Sequence, residues 1–312
     1  MIVSWIPGNG GTEIVFSSPT YTAAQPDVLG NIPANHITDR VPEQDGETVL
    51  ASPLDARDPV TISFIANAAS ASALATLLRT ISRAFSPASG AGTLKVVLDD
   101  AETFFLDCKI KRGSPQYPAD KDSRSSTGPG LDNYWQRFTI SLIAHSPAWY
   151  TAEQSQTFVA RTGWSYPIVY PRTYGTYSDT NNILNDGDLD CPFRLQIDGP
   201  MVNPTITNLT TGEYIEITKT LTSGQRLYIE TTFGDITCEI RNATTNALIE
   251  DAFQYASIDS TWFWLISSDR ALAMNEAQGY IGNEANRIKF ESDDSNDGSS
   301  MILYWIPRHS AV

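Results

Sequence analysis

At 312 residues with 41% hydrophobic side chains, the chain is long enough for roughly two packed domains. Its 36 acidic residues against 21 basic ones leave a net charge of −15. That balance argues against a sequence-reading nucleic-acid binder or a protein that docks on anionic membranes, because both need Lys and Arg to displace counterions. The charged fraction of 18% is low, and Thr, Ser, Asn and Gly are plentiful, which favours an all-β or α+β protein rich in turns over a helical bundle.

The three cysteines, Cys108, Cys191 and Cys238, are isolated, odd in number and without metal-ligand spacing, so they read as small buried hydrophobes. Gly8 to Thr12 interrupts any N-terminal apolar region and no Lys or Arg precedes it, so a signal peptide is not expected and synthesis and folding in the cytosol are. No apolar run reaches the length of a membrane-spanning helix, and no membrane anchor is expected.

In chain order, Ile2–Ile6 and Glu13–Phe16 flank a Pro-Gly-Asn-Gly-Gly turn and predict a hairpin. The glycines lack the following Lys and helix of a phosphate loop. Residues 17–59 carry six prolines and read as irregular, with a Pro-x-x-Asp-Gly turn at 42–46, a strand at 48–51 and a further strand opened by Arg57. Leu74, Leu77, Leu78, Ile81 and Phe85 recur on one helical face, so residues 70–85 form an amphipathic helix, with Asn67, Ser70 or Ser72 able to cap it. Residues 93–98 and 103–110 predict a second hairpin around Asp99–Glu102. A polar excursion follows at 111–133, containing Lys111, Arg112, Lys121 and Arg124. The strand Tyr134–Ala144 then runs into Pro147-Ala148-Trp149-Tyr150.

Residues 151–177 hold Trp164, Tyr166, Tyr170, Tyr174 and Tyr177, and read as a linker of which at least part is packed. Beyond a turn at Asn185–Asp188, alternation predicts strands at 191–197, through 203–234 and at 236–240, with hairpin punctuation at Thr211-Gly212 and Ser223-Gly224. Residues 286–290 read as a strand, 293–300 as a polar turn and 300–306 as the closing strand.

No residue pattern names a nucleophile, a general base or a metal site, so neither an enzyme nor a cofactor is expected. His36, His145 and His309 stand alone, outside any ligand spacing. Asp293, Ser295, Asp297 and Gly298 imitate a calcium loop only in part, since the twelfth position is Tyr304 instead of Glu.

The ordered series resembles siphophage distal tail proteins. It comprises the Arg57-led strand after an Asp-Gly turn, Pro147-Ala148-Trp149-Tyr150, Asn203-Pro204-Thr205-Ile206-Thr207-Asn208, Thr210-Thr211-Gly212-Glu213 and Gly224-Gln225-Arg226-Leu227-Tyr228-Ile229. The resemblance implies a mainly β chain in two domains, with Ser260–Leu265 as the family's aromatic strand and 267–285 as an inserted loop or short helix. Residues 1–150 would be an α+β belt, a split sheet or barrel with one helix, and residues 151–312 a galectin-like β-sandwich with its entry linker. It further implies a hexameric ring at the distal end of a virion tail made in the host cytoplasm, contacting the tail tube protein and the tail tip (tail-associated) protein. The tape-measure protein and receptor-binding or baseplate proteins would be further partners, and DNA would pass along the axis without sequence-specific contact. Arg57, Lys111, Arg112, Lys121 and Arg124 are the ring-interface candidates, and the acidic excess is expected in part along the channel, where it would repel DNA. The rival function is a carbohydrate-binding module acting in recognition of the host surface, with Tyr228, Trp262 and Trp264 as sugar or partner contacts. Against it, neither the His-x-Asn-x-Arg nor the Trp-x-x-Glu-x-Arg set of true galectins occurs.

Overall fold

The structure is a computed structural model that describes residues 1–23, 29–30, 32–33, 37–39, 48–51, 54–116, 134–159, 177–232, 234–295 and 300–312. The predicted turn at 42–46, His36, Lys121, Arg124, Trp164, Tyr166, Tyr170, Tyr174, Asp297 and Gly298 lie outside them. The chain divides into two compact units. Unit 1 comprises Met1–Thr151 and His309–Val312, and unit 2 comprises Ala152–Arg308. Residues 309–312, expected with the second domain, thus cluster with the first.

Unit 1 contains β1 (Ile2–Ile6), β2 (Ile14–Val15), β3 (Tyr21–Ala23), β4 (Ile37–Asp39), β5 (Thr48–Ala51), β6 (Arg57–Ala68), α1 (Ala71–Ala84), β7 (Gly92–Val97), β8 (Thr103–Ile110), β9 (Tyr134–Ala144) and β10 (Trp149–Tyr150). The main sheet runs β2-β1-β7-β8-β9-β6-β3 and is nearly closed, in line with the expected split sheet or barrel. Its longest pairing, β6 with β9, sets Val60 opposite Leu142, Ile62 opposite Ile140 and Phe64 opposite Phe138. All six are buried, and each such side chain contributes about 1.5–3 kcal/mol of burial. The Phe64 and Phe138 rings stack 5.1 Å apart.

The helix forms where its stripe predicts it. The Ser70 hydroxyl caps it by accepting from the Ala73 amide, and Leu74 and Ile81 are buried on the face turned to β6 and β9. Its end is tied to β1: Trp5 stacks on Phe85 and donates its indole N–H to the Ala84 carbonyl at 3.2 Å.

Unit 2 contains β11 (Gln154–Phe158), β12 (Tyr177–Ile183), β13 (Phe193–Asp198), β14 (Met201–Val202), β15 (Thr205–Asn208), β16 (Glu213–Glu216), β17 (Thr220–Leu221), β18 (Gln225–Thr232), β19 (Asp235–Asn242), β20 (Leu248–Asp251), α2 (Ser268–Ala277), β21 (Asn286–Ser292), β22 (Asp294–Ser295) and β23 (Ser300–Trp305). A six-stranded sheet, β11-β23-β13-β18-β19-β20, and a four-stranded sheet, β12-β21-β15-β16, enclose one core. Leu195, Ile229, Ile240 and Leu303 meet Ile206, Ile215, Ile288 and Phe290 there, which makes the unit a β-sandwich. The turns at Gly212 and Gly224 fall where predicted, with φ of 80° and 85°, values that glycine adopts without a Cβ penalty.

Two expectations fail. Ser260–Leu265 is not a regular strand. The Thr261 amide bonds the Tyr214 carbonyl, but the Tyr214 and Glu216 amides bond the hydroxyls of Thr261 and Ser260 in place of carbonyls, so side chains interrupt the ladder. The polar run after Asp293 is not all turn either. Asp294 and Ser295 pair with Val202 and Met201, and the small sheet β17-β14-β22 results.

Candidate functional site

The ring-interface candidates of unit 1 have unequal surroundings. Arg57 opens β6 at a register break and is only 5% exposed. Its guanidinium donates to the carbonyls of Pro147 (2.7 Å), Gly30 (2.8 Å) and Ser310 (2.7 Å), and burial pushes its pKa down. The side chain thus joins segments of its own unit. Lys111 is paired with Asp58 at 2.5 Å, with both groups about half exposed to solvent, and Arg112 is exposed. The three cysteines are buried free thiols, and burial pushes each up to about 12.

In unit 2 a shallow cleft of 230 Å³ opens beside the start of β13 and the end of β23. Strand register builds it. Arg194 of β13 lies opposite Glu230 of β18 on one side and Tyr304 of β23 on the other. The alternation that buries Phe193, Leu195, Ile229 and Leu303 turns these three residues to the outer face. The Arg194 guanidinium sits 4.6 Å from the centre of the Tyr304 ring and bonds both oxygens of Glu153, at 3.0 and 3.2 Å. Tyr228 donates its hydroxyl to Glu230 at 2.8 Å, and Thr232 donates to the other Glu230 oxygen at 2.9 Å. Burial, followed by the bond to Glu230, raises the Tyr228 pKa.

Residues 186–291 match the family model described as the siphovirus-type tail component, C-terminal domain. Most of unit 2 is thus similar to a siphovirus-type tail component domain. The resemblance to siphophage distal tail proteins is borne out there by the family model, and along the chain by the fold. The crystal structure of the SPP1 Dit protein (gp 19.1), described as a paradigm of the hub adsorption apparatus in phages infecting Gram-positive bacteria, superposes with a TM-score of 0.58. It is 8% identical, with 98% of each chain covered, which makes the likeness one of fold. No curated protein matches the sequence.

Of the sugar or partner contacts expected in unit 2, only Tyr228 lines the cleft. Trp262 packs edge-on against Phe253, and Trp264 donates its indole N–H to the Thr231 carbonyl at 2.8 Å. Sequence reasoning missed Arg194, Glu230 and Tyr304, which are spread over 110 positions and become one row only through pairing register. The insertion at 267–285 contains α2. The buried Asn275 fixes the following loop by donating to the carbonyls of Asn283 (2.9 Å) and Ala285 (2.8 Å) and accepting from the Thr210 hydroxyl (3.1 Å). An Asn inside a polar helix gave no signal of that role.

Proposed function

We propose that the chain is the structural hub at the distal end of a non-contractile phage tail. Six copies close into a ring whose first units continue the tail tube around an axial channel for DNA. The second units form a platform for receptor-binding or baseplate proteins, and the tube, tip and tape-measure proteins contact the ring. The observation that carries this reading is the fold shared with a hub protein along 98% of both chains. The tail-component family model over 186–291 supports it.

A ring of identical subunits needs a heterologous interface in which two different surfaces of each copy meet. Arg112, the Lys111–Asp58 pair, the short edge strands β2 and β3 and the hairpin β4–β5 are the proposed contributors. Unit 1 holds 15 acids against 11 bases, whereas unit 2 holds 21 against 10. Repulsion of DNA by the channel wall therefore depends on where the acids of unit 1 sit, more than on the total charge. Mass photometry with negative-stain imaging tests the assembly. A six-fold ring of about 205 kDa, six times the 34.2 kDa chain, is expected alone or with the tube and tip proteins. A 34.2 kDa particle under both conditions overturns the reading.

A further inference from the structure

We propose that the cleft of unit 2 binds a single neutral or amino pyranose ring of a surface glycan, held by Arg194 and Glu230 with Pro192 and Ile306 as its apolar wall. Sugar hydroxyls both donate and accept, so a pyranose needs donors and acceptors side by side at the spacing of adjacent hydroxyls. Arg194 and Glu230 place a donor and an acceptor opposite each other on neighbouring strands. Arg194 uses one nitrogen on Glu153 and also bonds the Tyr228 hydroxyl, and the five-donor guanidinium fork has further donors to offer. Glu230 accepts one bond at each oxygen, and a carboxylate has about four lone-pair sites in all.

These groups are held before any ligand arrives. Tyr228 and Thr232 fix Glu230, while Glu153 and the Tyr304 ring fix Arg194, and all but Glu153 stand on paired strands. Such preorganisation lowers the ordering cost of binding. Trp305, at the wall, is 7% exposed, and its indole N–H has no partner among the described residues. The volume of 230 Å³ falls below the lower bound of about 300 Å³ for ordinary small-molecule pockets, so it suits one ring and not an oligosaccharide or a folded peptide anchor. Two carboxylates against one guanidinium in the cleft, within a unit of 21 acids and 10 bases, select against anionic sugars.

The site is independent of ring closure, so its test can fail while the hub reading stands. The intact protein is titrated with methyl glycosides of glucose, galactose, mannose, N-acetylglucosamine and N-acetylgalactosamine, using saturation-transfer NMR and calorimetry. The expected result is saturable binding of at least one, with a dissociation constant of about 1 mM. It should weaken at least about tenfold in Arg194→Gln and in Glu230→Gln while the thermal midpoint is kept. Glu153→Gln, at the more exposed rim, serves if either of these fails to fold. No saturation by any glycoside, or binding that survives the substitutions, overturns the proposal. So does a cleft that takes only a salt-sensitive tri-arginine peptide.

Discussion

Arg57 and Ser310 stand 253 positions apart, yet the guanidinium of one donates to the carbonyl of the other at 2.7 Å inside unit 1. The same side chain reaches Pro147 and Gly30, and the Val312 amide returns to the Leu29 carbonyl. Residues following unit 2 therefore complete unit 1, adding a third carbonyl to the two that the N-terminal stretch offers this buried cation.

Arg57→Lys keeps the charge but replaces a planar fork by one ammonium, which cannot meet three diverging carbonyls. Hydrogen bonds from charged donors contribute about 1.5–3 kcal/mol each, so a loss of about 2–4 kcal/mol of unit 1 stability is expected. Urea unfolding followed by the fluorescence of Trp5 and Trp149, both buried in unit 1, measures it. An unchanged midpoint would show that the clamp carries no stability.

Asn275→Ala should loosen the segment from Gln278 to Ala285. It removes two donated bonds, to the buried Ala285 carbonyl and the half-buried Asn283 carbonyl, and leaves the Thr210 hydroxyl without the Asn275 acceptor. Unsatisfied buried groups cost about 1–3 kcal/mol each. Hydrogen exchange should quicken at the Tyr280 amide, which bonds the Asn275 carbonyl next to this network. Asn275→Asp should be worse, because a carboxylate would face two carbonyl oxygens. Exchange unchanged in both variants would refute the anchoring role.

Much of the fold was legible because local pattern and final environment coincide. The stripe Leu74–Ile81–Phe85 is apolar at helical spacing and is buried on the sheet, while Phe104, Leu106 and Cys108 alternate and are buried together. Pairing across distance was not legible. Arg57 shows in the sequence only as a cation before Asp58-Pro59, and nothing local links it to Ser310. The Arg194–Glu230–Tyr304 row needs the registers of three strands. The aromatic run at 260–265 misled because likeness to a family strand does not reveal that Ser260 and Thr261 hydroxyls replace carbonyls in the ladder.

That substitution has a measurable consequence. Ser260→Ala and Thr261→Val each remove a hydroxyl acceptor for an amide of β16, while the Thr261 amide bond to Tyr214 persists. Each should cost about 1 kcal/mol, the net worth of an ordinary hydrogen bond. The Glu216 amide should exchange faster in Ser260→Ala, and the Tyr214 amide in Thr261→Val. If neither amide responds, the hydroxyls are not the ladder's acceptors.

The buried thiols make stability fall at alkaline pH. Burial raises Cys108, Cys191 and Cys238 from 9.0 to about 12 in the folded chain, because desolvation penalises the thiolate. Below pH 9 both folded and unfolded chains hold these protons, and the full stability is present. Between 9 and 12 the unfolded chain releases them first, so the folded state loses ground as pH rises. Tyr150, raised by burial and then by its bond to Asp107, acts in the same direction. Urea midpoints should therefore be flat from pH 7 to about 8.5 and decline steadily above it. Cys238→Ala should make the decline shallower, since one of the three thiols no longer titrates. The thiols should also resist a disulfide reagent at pH 8 until urea unfolds the chain, because the thiolate is the reactive form. Midpoints that stay level to pH 11, or rapid labelling of the native protein, would show that these cysteines are not buried as described.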